Sequence, residues 1–258
     1  MKKIILILII CLSPILADKI VITILYNNIS YNEDLTTAWG FSCFIKGTEK
    51  NILFDTGGDG KILLENMEKL NISPEEIDII FLSHIHQDHV GGVWYILKKN
   101  NKVTVYLPKS FSEQFKERVK KTGAEFIAVD NTIKICGNIY STGELGGFWL
   151  KEQSLIIDTK KGLIVVTGCA HPGVANIVKK ANELSDKNVY LVMGGFHLMA
   201  YSEKDVKKII KELKKMKVEK VGPSHCTGGR PIELFRESWG EDFFDLGCGA
   251  IFELEFED

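Results

Sequence analysis

Residues 83–92 read Ser83-His84-Ile85-His86-Gln87-Asp88-His89-Val90-Gly91-Gly92. They follow Ile77–Leu82, an apolar run of strand length, so the first histidine stands at a strand end. His84 and His86, two residues apart there, point to the same side. Asp88 and His89 fall in the turn entering a helix expected from about Gly92 to Lys99, and they add a hard oxygen and a third imidazole. Three imidazoles and one carboxylate so closely spaced suit zinc, iron or manganese. Gly91-Gly92 lets the backbone turn tightly beneath them.

The same placement recurs outward from this stretch. The chain has six histidines, His84, His86, His89, His171, His197 and His225, and each lies at the end of an expected strand or just after it. Strand ends along one edge of a sheet share a surface, so side chains distant in sequence meet there. Before the first cluster come strands at Ile20–Tyr26, Phe41–Ile45 and Asn51–Phe54, a helix at Leu63–Leu70 and a proline-led helix start at Ser73-Pro74-Glu75-Glu76. After it come strand Val103–Leu107, helix Phe111–Lys121 and strand Glu125–Val129. The second half repeats the grammar. Strands Ile133–Tyr140, Ser154–Thr159 and Leu163–Thr167 lead to helix Val174–Leu184. Strand Val189–Met193 precedes helix Glu203–Lys217, and Lys220–Pro223 precedes helix Pro231–Trp239. The tail Ala250–Glu257 alternates apolar and acidic residues, as an exposed edge strand does. Two similar halves that pack their sheets together are the expected arrangement, in an α/β (α+β) chain.

The 258 residues carry a formal charge of -2 and are 45% hydrophobic, which fits one domain with a core of its own. With acid and base nearly balanced, nothing global points to nucleic acid or an anionic membrane surface. The basic run Lys204–Lys220 alternates with apolar residues at helical spacing and reads as a solvated face. Residues 1–17 differ: Lys2 and Lys3 precede the apolar run Ile4–Leu12, then Ser13-Pro14-Ile15-Leu16-Ala17 before Asp18, the pattern of a secretory signal. The run is short for a membrane span, so the expectation is an exported mature chain, 18–258, periplasmic or extracellular and with no stable span, with membrane anchoring as the alternative. The cysteines after the signal, Cys43, Cys136, Cys169, Cys226 and Cys248, are odd in number and irregular in spacing, which is no disulfide ladder.

His-x-His-x-Asp-His followed by Gly-Gly resembles the signature of the metallo-β-lactamase superfamily, and it follows Asp55-Thr56-Gly57 and a helix–strand unit as that family's signature does. Three later stretches, Thr167-Gly168-Cys169-Ala170-His171-Pro172-Gly173, Gly194-Gly195-Phe196-His197-Leu198 and Ser224-His225-Cys226-Thr227-Gly228, resemble the dihydropterin-ribofuranosylaminobenzene-phosphate synthase subfamily. The resemblance implies a four-layer αββα sandwich, a stacking that periodicity alone does not reveal. It also implies two divalent transition-metal ions, Zn2+ first, with Mn2+ or Fe2+ as alternatives. His84 and His86 would hold one ion, Asp88 and His89 the other, and His225 would complete the second site. His171 is the expected remaining ligand. The family's usual bridging aspartate is replaced by Cys169, which is either a thiolate ligand or a buried inert thiol, and Glu144 is the carboxylate nearest in sequence. Asp55 is either an ordinary turn residue or a brace for a ligand imidazole.

Such a site supports hydrolysis of a small-molecule substrate, because two metals share a water, lower its pKa from about 15.7 toward about 7, and clamp the oxygens of the electrophile. Asp88 would hold metal and orient that water. His197 is assigned to substrate binding or proton transfer, with metal ligation and a structural role as alternatives. Arg230, after Gly228-Gly229, is the cation expected to hold a phosphate, with Gly194, Gly195, Gly228 and Gly229 offering backbone donors. A phosphoester hydrolase is therefore the expected activity. The subfamily's synthase reaction, which displaces pyrophosphate, is one alternative. A protein that binds metal or ligand without turnover is the alternative of another class.

Overall fold

In the computed structural model, which describes residues 19–255, fifteen strands and seven α-helices form two large sheets, a short hairpin and two helical layers. The proposed signal segment, 1–17, lies outside the described residues. The first half supplies β1 (Lys19–Asn27), β2 (Phe41–Lys46), β3 (Ile52–Phe54), β4 (Ile79–Phe81), β5 (Thr104–Pro108) and β6 (Glu125–Val129). Interleaved are α1 (Gly60–Lys69), the four-residue α2 (Gln87–Val90), α3 (Val93–Lys99) and α4 (Glu113–Lys121). The second half supplies β7 (Ile133–Cys136), β8 (Ile139–Ser141), β9 (Leu145–Gly146), β10 (Lys151–Glu152), β11 (Leu155–Thr159), β12 (Gly162–Thr167), β13 (Val189–Gly195) and β14 (Lys220–Ser224), with α5 (Val174–Asn182), α6 (Glu203–Lys215) and α7 (Gly229–Trp239). The last strand, β15 (Ile251–Glu255), returns to the first sheet and pairs antiparallel with β1.

Strand order is β15-β1-β2-β3-β4-β5-β6 in one sheet and β14-β13-β12-β11-β8-β7 in the other, with β9 and β10 as a separate hairpin. In both sheets the strands that carry the histidine loops run parallel to their neighbours, β3-β4-β5 in the first and β12-β13-β14 in the second. Their C-terminal ends therefore open toward the same edge.

Period-two burial sorts the side chains into layers. Ile20, Ile22, Ile24, Phe41, Cys43, Ile45, Phe54 and Phe81 pack against Leu155, Ile157, Ile164, Val166, Leu191 and Met193, which makes the core between the sheets. The alternate residues of the first sheet, such as Leu53, Ile80 and Val105, pack on Leu63, Ile96 and Val119 of α1, α3 and α4. Those of the second, such as Leu163, Val165 and Val192, pack on Ile177, Leu213 and Phe235 of α5, α6 and α7. Three buried cores between four layers are the αββα sandwich that the resemblance implied.

Two local expectations are corrected. Ile133–Tyr140 is a hairpin rather than one strand, because Gly137 takes a positive φ of 39° and turns the chain between β7 and β8. Ser73-Pro74-Glu75-Glu76 closes only a 3-10 turn, although Ser73 and Glu76 do form a capping box. No helix among the described residues is long and apolar enough to cross a membrane.

Candidate metal centre

All six histidines come together at the open edge of the two sheets. Ring centroids run in an unbroken chain: His86–His84 4.7 Å, His84–His89 4.2 Å, His89–His225 5.1 Å, His84–His171 4.7 Å and His171–His197 4.4 Å. His84 and His86 sit in the loop after β4, and Asp88 and His89 on the short α2. This turn is tight because Gly91 and Gly92 pass against the carbonyls of Gly58 and Thr56. A Cβ on either would stand 2.2 and 2.3 Å from those oxygens. His171 follows β12, His197 follows β13 and His225 follows β14.

The donor atoms form two triads. His84, His86 and His171 make one, and Asp88, His89 and His225 the other; within each, the donor atoms lie within 4.8 Å of one another. Cys169 falls in a third group with His84 and His89, and again with His197 and Cys226 in a fourth. Nε2 of His84 and Nε2 of His225 are buried and make no aligned hydrogen bond among the described residues, although His225 Nε2 is 3.2 Å from Asp88 Oδ2. A buried imidazole nitrogen left unpaired costs free energy unless something covers it, and a metal ion is what this donor set fits.

Each triad has a buried carboxylate behind it. Asp55 is fully buried with a left-handed φ of 51°. Its Oδ1 accepts the Ser83 N–H at 2.7 Å, and its Oδ2 takes the Ser83 hydroxyl at 2.6 Å and contacts His89 Nδ1 at 2.7 Å. The sequence left Asp55 as turn or brace; the structure makes it a brace of an imidazole. Glu152 on β10 does the same for the other triad. Its Oε1 accepts the N–H groups of Cys169 and Ala170 at 2.9 and 2.8 Å, and its Oε2 accepts the His171 N–H at 2.9 Å and contacts His171 Nδ1 at 2.8 Å. Sequence reasoning missed Glu152 and pointed to Glu144, whose Oε1 instead accepts the Ser110 N–H at 2.6 Å.

Electrostatics follow burial. Burial depresses the His84 and His89 pKa values to about 3, with the neighbouring imidazoles His89 and His225, respectively, adding to it. Burial, then His171, also lowers His86. These rings are neutral at neutral pH and present lone pairs rather than charge. Burial pushes Asp55 up to about 8 against the opposing pull of His84 and Ser83. Burial works to raise Glu152 and Asp88 too. Interaction with His84 and the contact with His171 outweigh it at Glu152, and His225 and His89 outweigh it at Asp88, so both carboxyls sit below the usual range. His197 moves the other way from His84, His86 and His89: hydrogen bonding and charge from Cys226 raise its pKa against burial.

A family model described as the metallo-beta-lactamase superfamily matches residues 40–179. The chain belongs to this superfamily. It is 34% identical to the 7,8-dihydropterin-6-methyl-4-(beta-D-ribofuranosyl)-aminobenzene-5'-phosphate synthase of Methanocaldococcus jannaschii, over 87% of this chain and 92% of that protein. Its fold matches a metal-dependent hydrolase of the beta-lactamase superfamily with a TM-score of 0.77 and 26% identity, covering 92% of this chain and all of the other. The fold alone is shared with the metallo-beta-lactamase fold protein YhfI from Bacillus subtilis, with a TM-score of 0.68 and 15% identity over 92% of this chain and 99% of that one.

For a superfamily member, the expected anion-binding groups need correction. Arg230 is taken up by Glu203, Glu233 and Glu237 at 2.7, 3.0 and 3.3 Å on the exposed faces of α6 and α7, so its charge is already neutralised. Gly194 and Gly195 are the end of β13, and the Gly195 N–H is spent on the Gly168 carbonyl at 3.1 Å. His197, by contrast, is exposed beside His171.

Proposed function

We propose that this protein is a di-metal hydrolase of small phosphoesters, with His84, His86 and His171 holding one ion and Asp88, His89 and His225 the other. The observation that carries this reading is the pair of three-donor triads meeting at His84 and His89, with the buried Nε2 atoms of His84 and His225 making no aligned hydrogen bond among the described residues. Zinc fits this imidazole-rich set best, and manganese or iron(II) is compatible with it. Bound divalent ions supply Lewis acidity and make a nucleophilic water available near neutral pH.

The chain's own residues supply the rest. Asp55 and Glu152 fix the tautomers of His89 and His171, so that Nε2 of each faces the centre. Asp88, partly open to solvent and held ionised, orients the attacking water as well as binding metal. His197, whose pKa Cys226 raises from the ordinary imidazole value, can donate a proton to the leaving oxygen. With Arg230 engaged elsewhere, His197 is the protonatable group that meets the phosphoryl oxygens. The half-exposed ring of Trp39, 4.8 Å from His225, forms a flat apolar wall for the rest of the substrate. The test is turnover of a chromogenic phosphodiester by metal-loaded protein, with His86→Ala as the control. Turnover that depends on added metal and on His86 is expected; metal-loaded protein without turnover fits the silent-binder alternative.

A second reading is favoured by one observation, the 34% identity that runs along 92% of the M. jannaschii synthase. In that reading the same triads serve the joining of a pterin alcohol diphosphate to an aminobenzene ribosyl phosphate. Release of pyrophosphate from that substrate pair, without hydrolysis of simple phosphodiesters, would select it.

A further inference from the structure

We propose that Cys169 is a thiolate ligand shared between the two metal subsites, making this a sulfur-containing centre that takes borderline and soft ions in preference to hard ones. The inference rests on the di-metal reading above. Cys169 Sγ is 3.2 Å from His89 Nε2, and its donor atom groups with those of His84 and His89. His84 belongs to one triad and His89 to the other, so the sulfur stands where the two meet. An inert cysteine looks different in this same protein. Cys43 packs among the apolar side chains between the sheets, and the Cys248 thiol donates to the Leu25 carbonyl. Cys169 instead faces imidazoles.

The loop is built to put the sulfur there. Two consecutive N–H groups, of Cys169 and Ala170, are tied to the buried Glu152, and Ala170 takes a left-handed φ of 57° immediately afterwards. Gly195 leaves the space: a Cβ on it would stand 2.7 Å from Cys226 Sγ and 3.2 Å from Cys169 Cα. Cys226 sits behind Cys169, with its Sγ 3.7 Å from the Cys169 carbonyl oxygen, and it falls in a donor group only with Cys169 and His197. It backs the ligand sulfur rather than bridging the triads. Thiolate with imidazole favours zinc, cobalt and iron over manganese or magnesium, which prefer oxygen donors.

Cobalt(II) reads the sulfur directly, because a cobalt–thiolate bond adds a charge-transfer band in the near ultraviolet. Protein loaded with two cobalt ions per chain is expected to show that band. Cys226→Ser should keep it. Cys169→Ser should lose it with an unchanged circular dichroism spectrum, and Cys169→Asp should bind two cobalt ions with no band. If Cys169→Ser does not fold, a band retained by Cys226→Ser still assigns the sulfur to Cys169, since the other described cysteines lie outside the donor groups. Two bound cobalt ions without a band overturn the thiolate assignment and leave the di-metal reading standing. A band kept by Cys169→Ser overturns it as well. A chain that takes up no cobalt overturns both.

Discussion

The two halves of the centre are built in opposite ways. The first compresses four donors into one turn, His84, His86, Asp88 and His89, seated on the Asp55-Thr56-Gly57 loop, whose Thr56 N–H and hydroxyl both donate to the His89 carbonyl at 2.7 and 3.0 Å. The second collects one histidine each from the loops after β12, β13 and β14. Each of those loops holds a non-glycine residue in the left-handed region: Ala170 at φ 57°, His197 at 53° and His225 at 50°. Such conformations cost of order 1–3 kcal/mol each and persist where the surroundings over-determine them. A compact donor turn can be held by a single loop, here through Asp55 and Thr56. A dispersed set depends on braces from elsewhere, Glu152 for His171 and Asn28, whose Oδ1 is 2.8 Å from Nδ1, for His225.

That contrast is open to breakage at several points. The largest expected effect is at His197, the one histidine of the dispersed half assigned to substrate. His197→Ala should retain two metal ions while turnover falls about 10²–10⁴-fold, and by less for substrates with good leaving groups. Metal analysis alongside kinetics checks this, and loss of an ion would move His197 into the ligand set. Next is Glu152→Gln. An amide offers one acceptor where the carboxylate serves four contacts, so metal affinity should fall about 10–100-fold at the His171 subsite, measured by competition with a chromogenic chelator. The Asp88–His89–His225 subsite should be affected far less.

The two braces should also differ in their response to pH when metal is absent. The Asp55 carboxyl, raised from 3.8 to about 8, keeps its proton in the folded state where the unfolded chain has lost it. Its contribution to stability is therefore complete below about pH 3.8 and is lost as pH rises to about 8. Glu152, held below the usual range, contributes in the opposite sense, above the unfolded value and less as pH falls. His84 and His89, held at about 3, contribute stability that is lost as pH falls below 6.5, and so oppose Asp55 there. Urea midpoints of the metal-free protein should therefore fall from about pH 6.5 to 8, and Asp55→Asn should flatten that fall. The smallest effect is expected at Arg230: Arg230→Ala should leave metal content and turnover unchanged, because its guanidinium is already committed to three carboxylates.

The difference between the halves also decides what could be read from sequence. The compact turn is legible because its donors are neighbours, and the strand before it marks where they stand. The histidines of the second half are legible as strand ends, but their supports are not. Glu152 sits in Lys151-Glu152-Gln153, an ordinary polar stretch 19 residues before the histidine it contacts. Only the tertiary approach of β10 to the loop after β12 brings them together. Arg230 misled for the same reason, since Glu203, 27 residues earlier, is placed beside it by the packing of α6 on α7. The layering came from resemblance, because period-two burial shows which residues are inside and not which sheet they face.

The central claim is that two triads hold two ions, and elemental analysis of protein purified without chelators tests it most directly. The expected result is two divalent transition-metal ions per chain, with at least one lost in His86→Ala together with activity by orders of magnitude. A wild-type chain that holds no metal tightly, or a His86→Ala variant that keeps both ions, would contradict it.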